Sequence, residues 1–170
     1  MKRVYLSLGS NLGDRVAHVQ KALRMLADKG VEICRVSSFY QTEPVDFRDQ
    51  PWFLNCAVEA NTELMPLRLL DTIKSIERAL GRRPSASKGP RLIDIDILLY
   101  ENVVLRSSVL TIPHERLENR RFVLIPLREL AASLRHPVTQ RTVLEMLGAR
   151  PRVSTTSWPG SRNSSLTATP

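Results

Sequence analysis

Cysteine is nearly absent: 170 residues contain only Cys34 and Cys56. Two widely separated thiols exclude a disulfide framework and lack metal-ligand spacing. Both lie in apolar, strand-like segments and are expected to be reduced core thiols. Aromatics make up 5% of the chain against 42% hydrophobic residues, so aliphatic side chains must fill the core. No apolar run approaches the roughly 20 residues of a membrane span. The run from Val4 to Leu8 is too short for a signal peptide and has no small-residue cleavage site after it. It reads as a buried first strand. With neither a targeting segment nor a cysteine framework, a cytoplasmic location is expected. Acidic residues are in deficit, 17 against 25 basic ones, for a net charge of +8. That balance favours an anionic partner without naming it.

A nucleotide-binding glycine loop is also missing. Gly9-Ser10-Asn11-Leu12-Gly13-Asp14-Arg15 joins a strand to a helix but has neither the Lys-Ser/Thr ending of a P-loop nor a Rossmann spacing. On its own it is a tight turn with Asn11 or Asp14 as helix cap, although Asn11 can also present its amide to a ligand.

What is present follows the order strand, helix, strand, strand, helix, strand. Val16, Val19, Leu23 and Leu26 recur at helical spacing, and Gly30 is placed to end that helix. Val31–Tyr40 and Trp52–Ala60 read as strands. Between them Gln41–Pro51 is a loop with two prolines, three acids (Glu43, Asp46, Asp49) and Arg48. Pro66 opens a second helix with Leu69, Leu70, Ile73, Ile76 and Leu80 on one face, closed by Gly81. Leu92–Tyr100 is a strong strand. Val103–Leu105 and Ile112–His114 are short extended pieces, residues 119–131 are expected to break at Pro126, and Thr142–Leu147 forms a small helix. The order βαββαβ predicts a ferredoxin-like α+β core. Residues 1–150 are expected to form one domain. Residues 151–170 hold nine Ser or Thr, three Pro and no acid, a composition that cannot offset the entropy of ordering, so a disordered tail is expected.

The sharpest chemical signal is Lys88-Gly89-Pro90-Arg91-Leu92-Ile93-Asp94-Ile95-Asp96. Alternation along a strand puts Asp94 and Asp96 on one side and Ile93, Ile95 and Ile97 on the other. Neighbouring carboxylates repel unless a cation stands between them, and Mg²⁺ suits carboxylates combined with substrate phosphates. Two solvent-facing aspartates paired with arginines are the alternative. Arg82, Arg83, Lys88 and Arg91 stand beside them in a segment without acids, as phosphate-gripping groups or merely as a soluble loop. His114, with Arg120 and Arg121 beyond it, is either a phosphate donor or a turn histidine. Phe53 and Asn55 share a strand face, and Phe122 offers a second ring for a flat heterocycle; either ring can equally be core. Glu77 lies partly on the apolar face of its helix and needs an arginine or the metal site as partner, unless it is simply exposed. His18 and His136 read as structural.

These segments together, above all Gly89-Pro90-Arg91-Leu92-Ile93-Asp94-Ile95-Asp96-Ile97-Leu98, closely resemble the 6-hydroxymethyl-7,8-dihydropterin pyrophosphokinase family of folate biosynthesis. Support comes from Gly9–Asp14, Ser37–Thr42, Phe53-Leu54-Asn55, Ile76-Glu77, Leu80-Gly81-Arg82, Pro113-His114, Arg120 and Phe122. The resemblance spans Tyr5 to about Leu147 and implies a three-layer α/β/α sandwich. It also implies transfer of the pyrophosphoryl unit of ATP to the pterin hydroxymethyl oxygen, with AMP released. Asp94 and Asp96 would hold two Mg²⁺ ions, forming the catalytic set with Arg82 and Arg91. Arg82, Lys88, Arg91, His114 and Arg120 would bind ATP. Phe53, Phe122, Asn55, Thr42 and Val45 would bind the pterin, and loops Pro44–Pro51 and Arg82–Pro90 would close over both. The chain departs from the family where Ser87-Lys88 replaces an Arg-Trp pair in a loop one residue short, and at Glu43, often proline. No proton-abstracting base stands out, which leaves metal activation of the hydroxyl, assisted by Asp96. A monomer acting on small molecules, without nucleic acid or membrane, is expected. The rivals are an RNA-reading module, disfavoured by carboxylates on the central strand, and a scaffold that has lost turnover.

Overall fold

A computed structural model describes residues 1–43, 50–82, 90–149 and 155–159. Val45, Lys88 and most of the two loops expected to close over the site lie outside these residues.

Strand β1 (Lys2–Ser10) is central. It pairs antiparallel with β4 (Phe53–Thr62) on one side and β5 (Asp94–Tyr100) on the other. The far edge of β4 takes two short strands in succession, β2 (Val31–Val36) near one end and β3 (Tyr40–Thr42) near the other. The two together fill one ferredoxin position, giving the order β5-β1-β4-β2/β3. The βαββαβ core read from the sequence is therefore the observed one.

Helices α1 (Arg15–Asp28) and α2 (Pro66–Ala79) cover one face. Asp14 caps α1 by accepting from the Ala17 N–H at 3.0 Å. Pro66 occupies the first turn of α2 without a side-chain cap. Beneath them Val4, Leu6, Leu8, Val58, Ile73, Ile95 and Ile97 form one apolar cluster. Each such fully buried aliphatic side chain contributes about 1.5–3 kcal/mol. The opposite face carries α3 (Arg121–Ala131) and α4 (Val143–Gly148), packed on Tyr5, Ala57, Leu98 and Leu99. Thr142 and Glu145 close a reciprocal capping box at the start of α4. The result is a three-layer α/β/α sandwich.

Three sequence expectations change. The expected break at Pro126 does not occur, and α3 runs through it. Its ring fixes a helical φ and removes one hydrogen bond, while Val123, Leu124 and Leu127 stay buried on the sheet. Cys34 is exposed, not core, whereas Cys56 is buried. Val31 and Ile33 face the core, so alternation along β2 puts Cys34 on the opposite side with Glu32. Burial pushes the Cys56 thiol up to about 12. Finally, part of the expected tail is ordered: β8 (Thr155–Ser157) pairs with β3, and the Trp158 N–H donates to the Phe39 carbonyl at 2.8 Å. Backbone pairing along an open sheet edge asks little of side-chain composition. Residues 160–170 lie outside the described set.

A separate hairpin, β6 (Leu105–Arg106) with β7 (Thr111–Ile112), leads into His114. The His114 N–H donates to the Leu98 carbonyl at 3.0 Å, hooking this segment onto β5.

Candidate active site

On the α3/α4 side, the two helices cover the end of the sheet around Tyr5, Ala57, Leu98 and Leu99. Helix packing stops at Tyr5, and the next two residues of β1 on that face are Ser7 and Gly9. Register places Ser7 opposite Asp96, and Gly9 opposite Asp94 on one side and Asn55 on the other. Two minimal side chains thus leave an open cleft between a pair of carboxylates and the Asn55/Phe53 end of β4. At Gly9 the approach is close: a Cβ there would lie 2.7 Å from Asn55 Oδ1 and 3.7 Å from the Phe53 ring. The sequence reading missed Ser7 and Gly9 as the cleft floor, although their alternation with Leu6 and Leu8 carried the signal.

Both aspartates are held by cations. Asp94 Oδ1 accepts from Arg91 Nη1 at 2.9 Å and from Arg82 Nη1 at 3.1 Å. Asp96 Oδ2 accepts from Arg120 Nη1 at 3.1 Å, and His114 Nε2 lies 3.7 Å from it. Burial raises the Asp96 pKa, and the neighbouring Asp94 charge raises it further, against His114 and Arg120. Burial lowers the His114 pKa despite Asp96. The Arg116 N–H donates to His114 Nδ1 at 3.1 Å, so the neutral ring carries its proton on Nε2, facing Asp96.

Glu77 stands behind this array. It is almost fully buried, and Oε1 accepts from the Ile95 N–H at 2.9 Å while Oε2 pairs with Arg82. Burial raises its pKa, opposed by the Ile95 N–H and Arg82. A carboxylate on α2 thereby fixes both β5 and the arginine that reaches Asp94. The need for a partner, read from the sequence, is met by Arg82.

Asn11 presents its amide to protein instead of a ligand. Its Oδ1 accepts from the Arg91 N–H at 2.7 Å, and its Nδ2 donates to Gln50 Oε1 at 3.1 Å and the Pro51 carbonyl at 3.3 Å. The side chain is buried and ties together the chain on both flanks of the cleft.

At the other end of the floor, Asn55 Nδ2 donates to Thr42 Oγ1 at 2.6 Å. Phe53 and Phe122 both line the cleft, and the Arg120 guanidinium lies 5.7 Å from the Phe122 ring centroid, within cation–π range. Of the residues singled out from sequence, Arg91, Asp94, Asp96, Arg120, Thr42, Phe53, Asn55 and Phe122 converge on this one cleft. Arg82 and His114 join through the carboxylates. Gln50, Glu43 and Arg116 also line it; from sequence, Gln50 belonged to a closing loop and Glu43 to the pterin-side segment, while Arg116 had no site role.

The family model for 7,8-dihydro-6-hydroxymethylpterin-pyrophosphokinase (HPPK) matches residues 5–132. The folic acid synthesis protein fol1 of Schizosaccharomyces pombe is 46% identical over 151 residues, covering 88% of this chain and 21% of fol1. The mitochondrial folate synthesis bifunctional protein of Pisum sativum is 46% identical over 129 residues, 76% of this chain and 25% of that protein. This chain therefore spans a quarter or less of the length of these two relatives. The 2-amino-4-hydroxy-6-hydroxymethyldihydropteridine pyrophosphokinase of Aquifex aeolicus is 41% identical over 145 residues, 85% of this chain and 90% of that protein. Among solved structures, wild-type Plasmodium falciparum HPPK-DHPS with STZ-DHP superposes with a TM-score of 0.69 at 16% identity. It covers 86% of this chain and 43% of that one, a likeness of fold. With the matched segment running from the middle of β1 to the end of α3, the chain belongs to the 7,8-dihydro-6-hydroxymethylpterin-pyrophosphokinase family.

Proposed function

We propose that this chain transfers the pyrophosphoryl unit of ATP to the hydroxymethyl oxygen of 6-hydroxymethyl-7,8-dihydropterin, releasing AMP, as a step of folate synthesis. The observation that carries the reading is the shared floor. Ser7 and Gly9 place a carboxylate pair ringed by cations next to an amide and two aromatic rings. A polyphosphate and a flat heterocycle can therefore meet on one surface.

The residues fit magnesium. Among the described residues no cluster of three or more acidic, His or Cys ligands exists. Mg²⁺ asks for less: one or two carboxylates, with substrate phosphates and water completing its shell. Asp94 and Asp96 supply them from one face of β5, and we assign two ions to this pair. When bound, the metal supplies positive charge against phosphate oxygens and makes the pterin hydroxyl easier to deprotonate.

Every other role belongs to the chain. Arg82 and Arg91 can exchange Asp94 for phosphate oxygens, and Arg120 can exchange Asp96, without leaving a carboxylate unbalanced once the cation is there. Guanidinium groups offer paired N–H donors that follow charge onto the leaving oxygen. His114 keeps its proton on Nε2 and donates it in a hydrogen bond. Phe53 and Phe122 clamp the pterin. Asn55, its Nδ2 engaged by Thr42, keeps Oδ1 to accept from the ring edge. Lys88 on the phosphate side and Val45 on the pterin side complete the assignment from sequence.

The proposed setting is a cytoplasmic monomer acting on small molecules. No described helix is long and apolar enough to cross a membrane. A nucleic-acid partner is disfavoured because β5 offers carboxylates where an RNA-reading sheet would expose stacking rings.

Purified chain incubated with ATP, Mg²⁺ and the hydroxymethyl pterin should release AMP in step with pterin diphosphate. ADP as the sole nucleotide product would refute the reaction. A second test addresses the floor. Gly9→Ala should raise the pterin KM about tenfold or more, because the new methyl group displaces an Asn55 side chain that Thr42 already holds. Steady-state titration of pterin at saturating ATP reads this, and an unchanged KM would remove Asn55 from the pterin site.

A further inference from the structure

Cations at the phosphate end of the cleft fall into two classes. Arg91 and Arg120 are each ion-paired to an aspartate near 3 Å and are 30% and 26% exposed. Either must give up its carboxylate before it can take a phosphate oxygen. Arg116 differs. It lines the same cleft, and its side chain is 51% exposed. Its ion pair is with the adjacent Glu115, at 3.8 Å and itself 68% exposed, a contact of little strength in water.

The backbone beneath Arg116 is nevertheless well held. Its N–H donates to His114 Nδ1 at 3.1 Å, the Leu117 N–H donates to the His114 carbonyl at 2.9 Å, and His114 is hooked to Leu98 on β5. A loosely paired positive charge thus stands on a fixed base at the cleft that Asp96 also lines. An exposed cation of this kind can meet an anion without breaking an internal pair, and it adds to the field drawing anions inward.

We propose that Arg116 is a further phosphate-binding residue of this cleft, the one that first engages the triphosphate of an incoming nucleoside triphosphate. This rests on the reading of the cleft as an ATP site and names an additional specificity-determining group there. Arg116 engages the polyphosphate first, and Arg91, Arg82 and Arg120 then exchange their aspartates for phosphate oxygens.

The test is calorimetric titration of the full chain with Mg²⁺ and a non-hydrolysable ATP analogue at several salt concentrations, paired with steady-state kinetics. Arg116→Ala should weaken analogue binding and raise the ATP KM about tenfold. The fall in kcat should be smaller than that, and the pterin KM should stay put. The salt dependence of analogue binding should become shallower, and Arg116→Lys should restore most of the affinity. Native affinity for the analogue in Arg116→Ala would overturn the proposal, as would an equal rise in both KM values, which marks a structural role. Failure of the unsubstituted chain to bind the analogue would instead defeat the ATP reading itself.

Discussion

Asp96→Asn is expected to lower the rate of AMP formation about a thousandfold while the protein stays folded. Asparagine matches the carboxylate in shape and can still accept from Arg120 through Oδ1, so the 3.1 Å contact need not be lost. Removing the charge also relieves repulsion with Asp94, one of the causes that raise the Asp96 pKa. The two effects oppose each other, and the midpoint of thermal unfolding should move by only a few degrees. What disappears is the negative charge assigned, in the proposed reaction, to holding a divalent cation against phosphate. Rate of AMP release and thermal midpoint, measured on the same preparation, separate chemistry from folding. Near-native turnover in this variant would end the metal assignment, because Asp94 alone would then suffice.

The second large effect is expected at Glu77, and two substitutions there should part company. Glu77→Ala removes both acceptors, leaving the buried Ile95 N–H unsatisfied and Arg82 without its inner partner. A loss of about 2 kcal/mol follows, or about 4–8 °C in thermal midpoint for a chain of this size. Glu77→Gln retains an oxygen for the Ile95 N–H and loses only the partner of Arg82. Its stability should stay within about 1 kcal/mol of native, helped by removal of a charge that burial disfavours. Its ATP KM should still rise, because only Asp94, itself at the cleft, then positions Arg82. Equal destabilisation by both substitutions would show that the Arg82 pair, and not the Ile95 hydrogen bond, holds α2 to β5.

The paired state of the aspartates connects two readings that the sequence left open. Asp94 and Asp96 were compatible either with a metal site or with arginine pairing. In the structure they are paired with Arg82, Arg91 and Arg120. The arrangement suits both states, since the same cations that neutralise the carboxylates can turn to phosphate once a divalent ion takes their place.

Much of the layout was legible in the chain itself. Helical spacing in Leu69, Ile73 and Ile76, and the two-residue alternation of Ile93, Ile95 and Ile97 with Asp94 and Asp96, are relations between near neighbours. Local geometry alone turns them into a buried face and a shared carboxylate side. The family motifs added roles for Phe53, Asn55, His114 and Arg120, all of which the structure places at or beside one cleft.

Tertiary structure decided the rest, and the reason is distance along the chain. The bond from the Arg91 N–H to Asn11 joins residues 80 apart in sequence, and no local pattern announces it. Nor does any local pattern show that Ser7 and Gly9 face Asp96 and Asp94 across a register, or that Arg116 comes to line the same cleft. Thr155–Ser157 forms a strand because β3 offers an open edge. Period and composition are set by neighbouring residues. Register, partner choice and the emptiness of a cleft exist only once distant segments have met.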